Sequence, residues 1–284
     1  MYRLEIGSYV ERLIDWMTIY WAGFFDGIRS GLSTLIGWFS WLFLHIPFVV
    51  FVLLAVVLAW WLAGKGVAVF AGLGLTVIRF MDLWTETMYT LSMITAATLI
   101  ALVIGIPLGI WMSRSDRANQ VIRPILDFMQ TMPAFVYLIP AVYFFDLGEV
   151  PGTVATVIFA MPPVVRLTNL GIRQVPKDVI EAAKAFGATG RQRLFKVEVP
   201  LAMPTILAGL NQTIMLSLSM VVISSMIGAK GLGIPVLNGI TQLKVGEGFE
   251  GGLAVVILAM ILDRITQGMG QFQGRRKGRK KTGR

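Results

Sequence analysis

The sequence predicts an all-α, polytopic helical membrane protein with about seven transmembrane helices behind N-terminal interfacial helices. Three observations predict it. The 284 residues are 56% hydrophobic and only 14% charged, more apolar surface than one soluble core of that length can bury. Apolar runs of roughly membrane-crossing length recur along the chain. The basic residues fall between those runs, concentrated in alternate segments.

The opening MYRLEIGSYVERLIDW carries acidic residues where a cleavable signal would place a basic stretch and an apolar core. Val10, Leu13, Ile14, Met17, Trp21, Phe24, Phe25 and Ile28 recur at helical spacing opposite Glu11, Arg12 and Asp15, which reads as a helix lying in the interface. GLSTLIGWFSWLFLH (31–45) has too short an apolar run to cross and is expected to lie there too. His45, the single histidine, takes a packing or interfacial role. Residues 1–46 therefore form an N-terminal segment on the outer side.

Seven spans follow, at 47–63, 66–80, 86–112, 124–145, 152–172, 203–227 and 250–267. With the N-terminus outside, 18 of the 25 Lys and Arg residues fall on the inner side, six on the outer, and Arg166 within a span. Retention of positive charge in the cytoplasm then places the loop 173–200 and the C-terminus inside. The basic tail 268–284 serves as a topology anchor and favours anionic lipid. A net charge of +9 suits this arrangement better than nucleic-acid binding, because the cations do not share one folded face.

The chain is not expected to be an enzyme. It has no cysteine and one histidine, which excludes thiolate chemistry and a multi-histidine metal site. There is no phosphate-binding G-x-x-x-x-G-K-[ST] loop, since GAKGLG (228–233) has the wrong order, and no nucleophile, base and orienter form a set.

The loop EAAKAFGATGRQRLFKVEVP (181–200) would suit a soluble protein. Pro176 fits a first helical position and Gly187 a left-handed C-terminal cap. Thr189 and Gln192 make a capping box for a second helix, which Pro200 is expected to help end. Ala182 and Ala183 permit close approach of another surface, with Val179 and Phe186 as apolar contacts. Periodicity alone fits either a docking surface or a loop packed on its own bundle.

A candidate pathway comes from polar groups within spans. Gln130, Thr131, Met132 and Pro133 lie near mid-membrane, and Pro133 and Pro140 free carbonyls along the helix, so a broken polar helix is expected there. Phe135, Tyr137 and Tyr143 offer ring faces to a quaternary ammonium, or lipid and packing contacts. Arg166 and Asp127 fit a pathway or a structural pair. Asn211, Gln212, Ser217 and Ser219 form a polar stripe, for the pathway or for holding helices together across a dimer. The glycine-dense stretch Gly228–Gly252 fits a short re-entrant or gate element, or a flexible loop.

The spacing within the loop adds a resemblance. Glu181-Ala182-Ala183, then three residues, Gly187, nine residues, and Val197-Glu198-Val199-Pro200 resembles the EAA loop of permease subunits in binding-protein-dependent ABC importers, with Val197 and Val199 in place of the pattern's Ile and Leu. QTMPAFVYLIPAV (130–142), FAMPPVVRLTNLGIRQVP (159–176), NQTIMLSLSMVVISSMIGAKGLG (211–233) and ILDRITQ (261–267) are similar to the permeases of glycine betaine and proline betaine importers, whose relatives carry choline or carnitine. The resemblance covers about residues 45–267. It implies a type I ABC importer permease fold over 47–267, and coupling helices in the loop that dock on an ATPase subunit. It also implies a homodimeric pore in a bacterial inner membrane, two ATPase subunits that hold the ATP and magnesium, and an external substrate-binding protein. This chain would bind no cofactor itself. Competing readings are an ion-gradient-driven secondary transporter, which would need an inverted repeat and a mid-membrane carboxylate, a scaffolding membrane protein, and a permease for another small solute.

Overall fold

The computed structural model describes the backbone of residues 6–281 and the side chains of residues 7–270. The side chains of the basic run in the tail, 275–284, lie outside the described residues. Within these limits the chain forms thirteen α-helices and one π turn, with no strand among the described residues.

α1 (Ile6–Tyr20) and α2 (Ala22–His45) are separated by a break at Trp21. Residues 31–45 are not a helix separate from the residues before them. They continue a 24-residue helix, about 36 Å long at 1.5 Å per residue. Ser33 and Thr34 do not interrupt it, because both hydroxyls donate to the Ser30 carbonyl. The chain then turns by 102° into α3 (Phe48–Ala63). Pro47 disfavours a helical Ile46, whose ψ is 122°.

α3 is apolar on all sides and exposes Val49, Leu53, Val57 and Trp61, as a lipid-facing helix does. Gly64, at φ +99°, reverses the chain into α4 (Lys65–Phe80). α4 has 16 residues, roughly 24 Å, and is shorter than the ~20 residues a crossing takes. The expected span at 66–80 is this helix, packed on α3 and the C-terminal helix through Ala71, Gly74 and Ile78.

The centre is built from α5 (Trp84–Arg114), α8 (Glu149–Arg173) and α11 (Val199–Ser225). Glycines let these helices touch. A Cβ on Gly105 would stand 2.6 Å from Val164 Cγ1, and one on Gly109 2.6 Å from Thr168 Cβ. Gly209 lies against the backbone of α8 in the same way. Small residues matter here because lipid is as apolar as the side chains, so close packing replaces the hydrophobic drive. Some buried hydroxyls bond one turn back, as Ser92 does to the Met88 carbonyl and Thr156 to Gly152, whereas those of Thr98, Thr168, Thr213 and Ser224 have no partner.

Between α5 and α8 lie α6 (Asp116–Thr131) and α7 (Ala134–Phe145), bent by 99° to one another. The expected span from Pro124 is therefore two helices. Its first begins at Asp116, where Ser115 Oγ accepts from the Ala118 amide, and Pro124 sits inside it. The chain continues through α9 (Lys177–Ala185), α10 (Gly190–Arg193), a π turn (Leu194–Glu198), α11, α12 (Gly233–Thr241) and α13 (Val245–Lys281). Four unbroken helices are long and apolar enough to cross, or six if each bent pair counts as one span, against the seven expected. The expected span outside this count is α4, with 16 residues.

Candidate functional site

α9 and α10 stand out from the bundle. No residue of α9 is buried, and Phe186, at its end, is 92% exposed. Pro176 is the residue before the helix, with ψ 135°, and not its first helical residue. At the far end the Gly187 amide donates to Lys184 O and the Ala188 amide to Ala183 O, with Gly187 at φ +78°. That pair of bonds is a Schellman cap and needs the left-handed residue that glycine supplies. The capping box also forms: the Gln192 amide donates to Thr189 Oγ1 at 3.3 Å, and Gln192 Oε1 accepts from the Thr189 amide at 2.9 Å. Glu181 and Ala182 are exposed and Ala183 partly so, leaving the face that carries them open.

Pro200 does not end the second helix. The chain runs helical from Gly190 to Ser225, with Pro200 in the first turn of α11. The π turn just before it widens the backbone and relieves the clash a proline ring makes with the carbonyl four residues earlier.

Glu198, which composition and periodicity leave unassigned, is buried at this junction. Its Oε2 accepts from Arg114 Nη2 at 3.0 Å and its Oε1 from Arg193 Nε at 2.7 Å. Arg114 ends α5, so the carboxylate ties the loop to a helix 84 residues away. The loop's other end is held at the same place. Arg173 donates to the Met112 carbonyl at 2.8 Å and to Asp116 at 2.7 Å, and Asn169 bonds Asn119 at 3.0 Å.

That place is the turn into α6, the first half of the broken helix. The break falls at Met132 and Pro133, where ψ values of 135° and 137° are extended. Tyr137 is buried against it, and its hydroxyl donates to the Met129 carbonyl at 2.6 Å, satisfying an acceptor the break exposes. Its ring is therefore part of the bend. Phe135 and Tyr143 are exposed on the same helix, Gln130 and Met132 are half-buried, and Thr131 is exposed with its hydroxyl on Phe128 O. Arg166 of α8 pairs with Asp127 of α6, which keeps each charge compensated.

The stripe on α11 is divided. Asn211 donates to Asp263 at 2.9 Å and accepts from Thr266, so it joins α11 to α13 within one chain. Ser217 is fully buried and donates to the Thr213 carbonyl at 2.9 Å. Gln212 and Ser219 are exposed.

The glycine-dense stretch forms a turn and the short helix α12, laid on α13. Gly239 and Gly248 meet so closely that a Cβ on the first would lie 2.4 Å from the second's Cα. Asn238 bonds Glu247 at 3.0 Å. In the turn, the Leu232 amide donates to Thr90 Oγ1 at 2.8 Å, and Lys230 lies 5.2 Å over the Tyr89 ring.

The helical membrane bundle thus combines a broken helix, α6–α7, with an exposed helix pair anchored at both of its ends, an arrangement that suits a transport protein. Residues 101–279 match the family described as the binding-protein-dependent transport system inner membrane component, and the chain belongs to that family. It is thus an inner-membrane transport subunit rather than an enzyme, acting with a substrate-binding protein and a separate ATPase. It is 50% identical to the glycine betaine transport system permease protein OpuAB of Bacillus subtilis, over 93% of this chain and 94% of that one. It is 49% identical to the glycine betaine/proline betaine transport system permease protein ProW of Escherichia coli, over 98% of this chain and 78% of that one. Among solved structures, the MetNI methionine ABC transporter in inward-facing conformations aligns with a TM-score of 0.59 at 22% identity, covering 72% of this chain and 98% of that one. That likeness concerns the fold.

Proposed function

We propose that this chain is the permease of an ATP-driven importer of glycine betaine and related quaternary-ammonium solutes, with proline betaine, choline and carnitine as the same chemical class. The observation that carries the reading is near 50% identity across almost the whole chain to permeases named for glycine betaine. In this reading two copies form the pore, each holding one ATPase subunit at α9 and α10, and an external binding protein delivers the solute. ATP and magnesium sit on the ATPase. The loop 173–200 and the C-terminus face the cytoplasm and the N-terminus faces outward.

Coupling to an ion gradient finds less support. Asp127 is engaged by Arg166 and Asp263 by Asn211 and Gln267, and Glu86, whose Oε2 is buried with no hydrogen-bond partner, lies in the first turn of α5, where coupling needs a mid-membrane carboxylate that exchanges its ligand. The test is reconstitution of the chain with its ATPase and binding-protein partners in proteoliposomes and measurement of labelled glycine betaine uptake. Uptake is expected only with internal ATP and the binding protein together. Uptake without ATP would overturn the reading, and ATP-driven uptake of trimethylamine N-oxide alone, the solute in the names of relatives at 37% and 39% identity, would replace its substrate.

A further inference from the structure

Both ends of the exposed loop are fastened to one short stretch, residues 112–119. The entry is fastened by Arg173 on Met112 O and Asp116 and by Asn169 on Asn119. The exit is fastened by Glu198 on Arg114. The two fastenings differ in kind. Asp116 is 83% exposed, so its pair with Arg173 is screened. The Glu198 side chain is 6% exposed, with Arg114 and Arg193 at 32% and 22%, so its charge is held out of water between two guanidinium groups. Removing one partner leaves a buried charge held by fewer donors, so this joint is costly to break. The π turn beside it ends at Glu198 itself, and insertions of this kind set the direction in which a helix leaves the turn.

We propose that Glu198, through Arg114, is the positioning residue that carries movement of the loop into the α5–α6 turn, and from there into the broken helix α6–α7. Arg193 plays the other part: it fixes the carboxylate to the loop's own second helix. Loop, turn and the inner end of α11 then move as one body. The inference rests on the loop being the ATPase-docking element, and it adds where the motion goes.

The experiment uses the complete complex in proteoliposomes and reads solute moved per ATP hydrolysed, which a variant that is merely less stable would not change per intact complex. Arg114→Gln is expected to lower that ratio at least about fivefold, the scale of an ordinary coupling between sites, and Glu198→Gln to do the same. Arg193→Gln is expected to lower it less than Arg114→Gln, since the link to α5 survives. Equal effects of the two arginine variants, or ratios within twofold of the native complex for Arg114→Gln, would overturn the inference. A second readout needs no transported solute. The chain has no cysteine, so spin labels at Arg117→Cys and Lys184→Cys report the distance between turn and loop, with labelled chain diluted into unlabelled. That distance is expected to stay fixed between nucleotide-free and ATP-bound complexes, and to change once Arg114→Gln is added. A native distance that changes with ATP sinks the single-body proposal even if transport proceeds as described. A native complex that fails to import glycine betaine sinks the transport reading while the distances still judge this one. Should Glu198→Gln fail to assemble with the ATPase, the two arginine variants and the distances decide the matter.

Discussion

At Gly187 the backbone, not the side chain, makes the residue necessary. Nothing lies within 4 Å of where its Cβ would be, yet its φ is +78°, a region that costs an L-residue roughly 1–2 kcal/mol. Substitution therefore does not clash. It strains the cap that shapes α9, and with it the orientation of Phe186 and the step to Thr189. Gly187→Asp is expected to cut uptake severely while the external binding protein still associates with the complex. Uptake measured beside binding-protein affinity checks this, and normal import by the variant would refute the role given to the cap. Tyr137 is a contrasting case, because its side chain does the work: the hydroxyl supplies a donor to Met129 O at the bend, a bond worth about 1 kcal/mol net.

Among the elements, the close crossings explain why so many glycines are placed where they are. α12 lies closely on α13 because Gly239 and Gly248 bring backbone against backbone. A side chain there meets atoms that cannot rotate away, so Gly239→Val is expected to cost about 1–3 kcal/mol or more by overpacking. Gly246, two residues from the contact with open space around it, is the control. Thermal unfolding of the purified protein in detergent should show a midpoint several degrees lower for Gly239→Val and near the native value for Gly246→Ala. Equal midpoints would mean that α12 is not held at this crossing. The same physics joins α5 to α8 at Gly105 and Gly109, so the central helices and the outer short helix share one packing device.

For the whole molecule, the architecture separates a fixed centre from two attachments. α5, α8 and α11 form the centre. The α9–α10 pair projects at one end, and α2 reaches the other end of the broken helix, with Phe25 stacked on Phe144 at 4.2 Å and Arg29 paired with Asp146. If positive charge fixes the orientation, these ends lie on opposite sides of the membrane. The cysteine-free chain makes this testable. In intact cells a membrane-impermeant maleimide is expected to label Lys244→Cys, and to label Lys184→Cys only after the membrane is opened. The reverse pattern would invert the orientation.

What the sequence determined by itself was local chemistry and gross partition. Composition placed the chain in a membrane. Gly187, Thr189 with Gln192, and Pro133 announced a cap, a capping box and a break, because each acts on backbone within a few residues of itself. Tertiary structure decided whatever depends on residues far apart. Glu198 and Arg114 are 84 positions apart, and no local pattern marks them as partners. Pro200 reads as a helix end until the π turn before it is seen. Residues 31–45 read as a segment apart until Ala22 is found to begin their helix. Backbone preferences are local and therefore legible, whereas charge pairing and glycine crossings exist only once the chain has brought distant segments into contact.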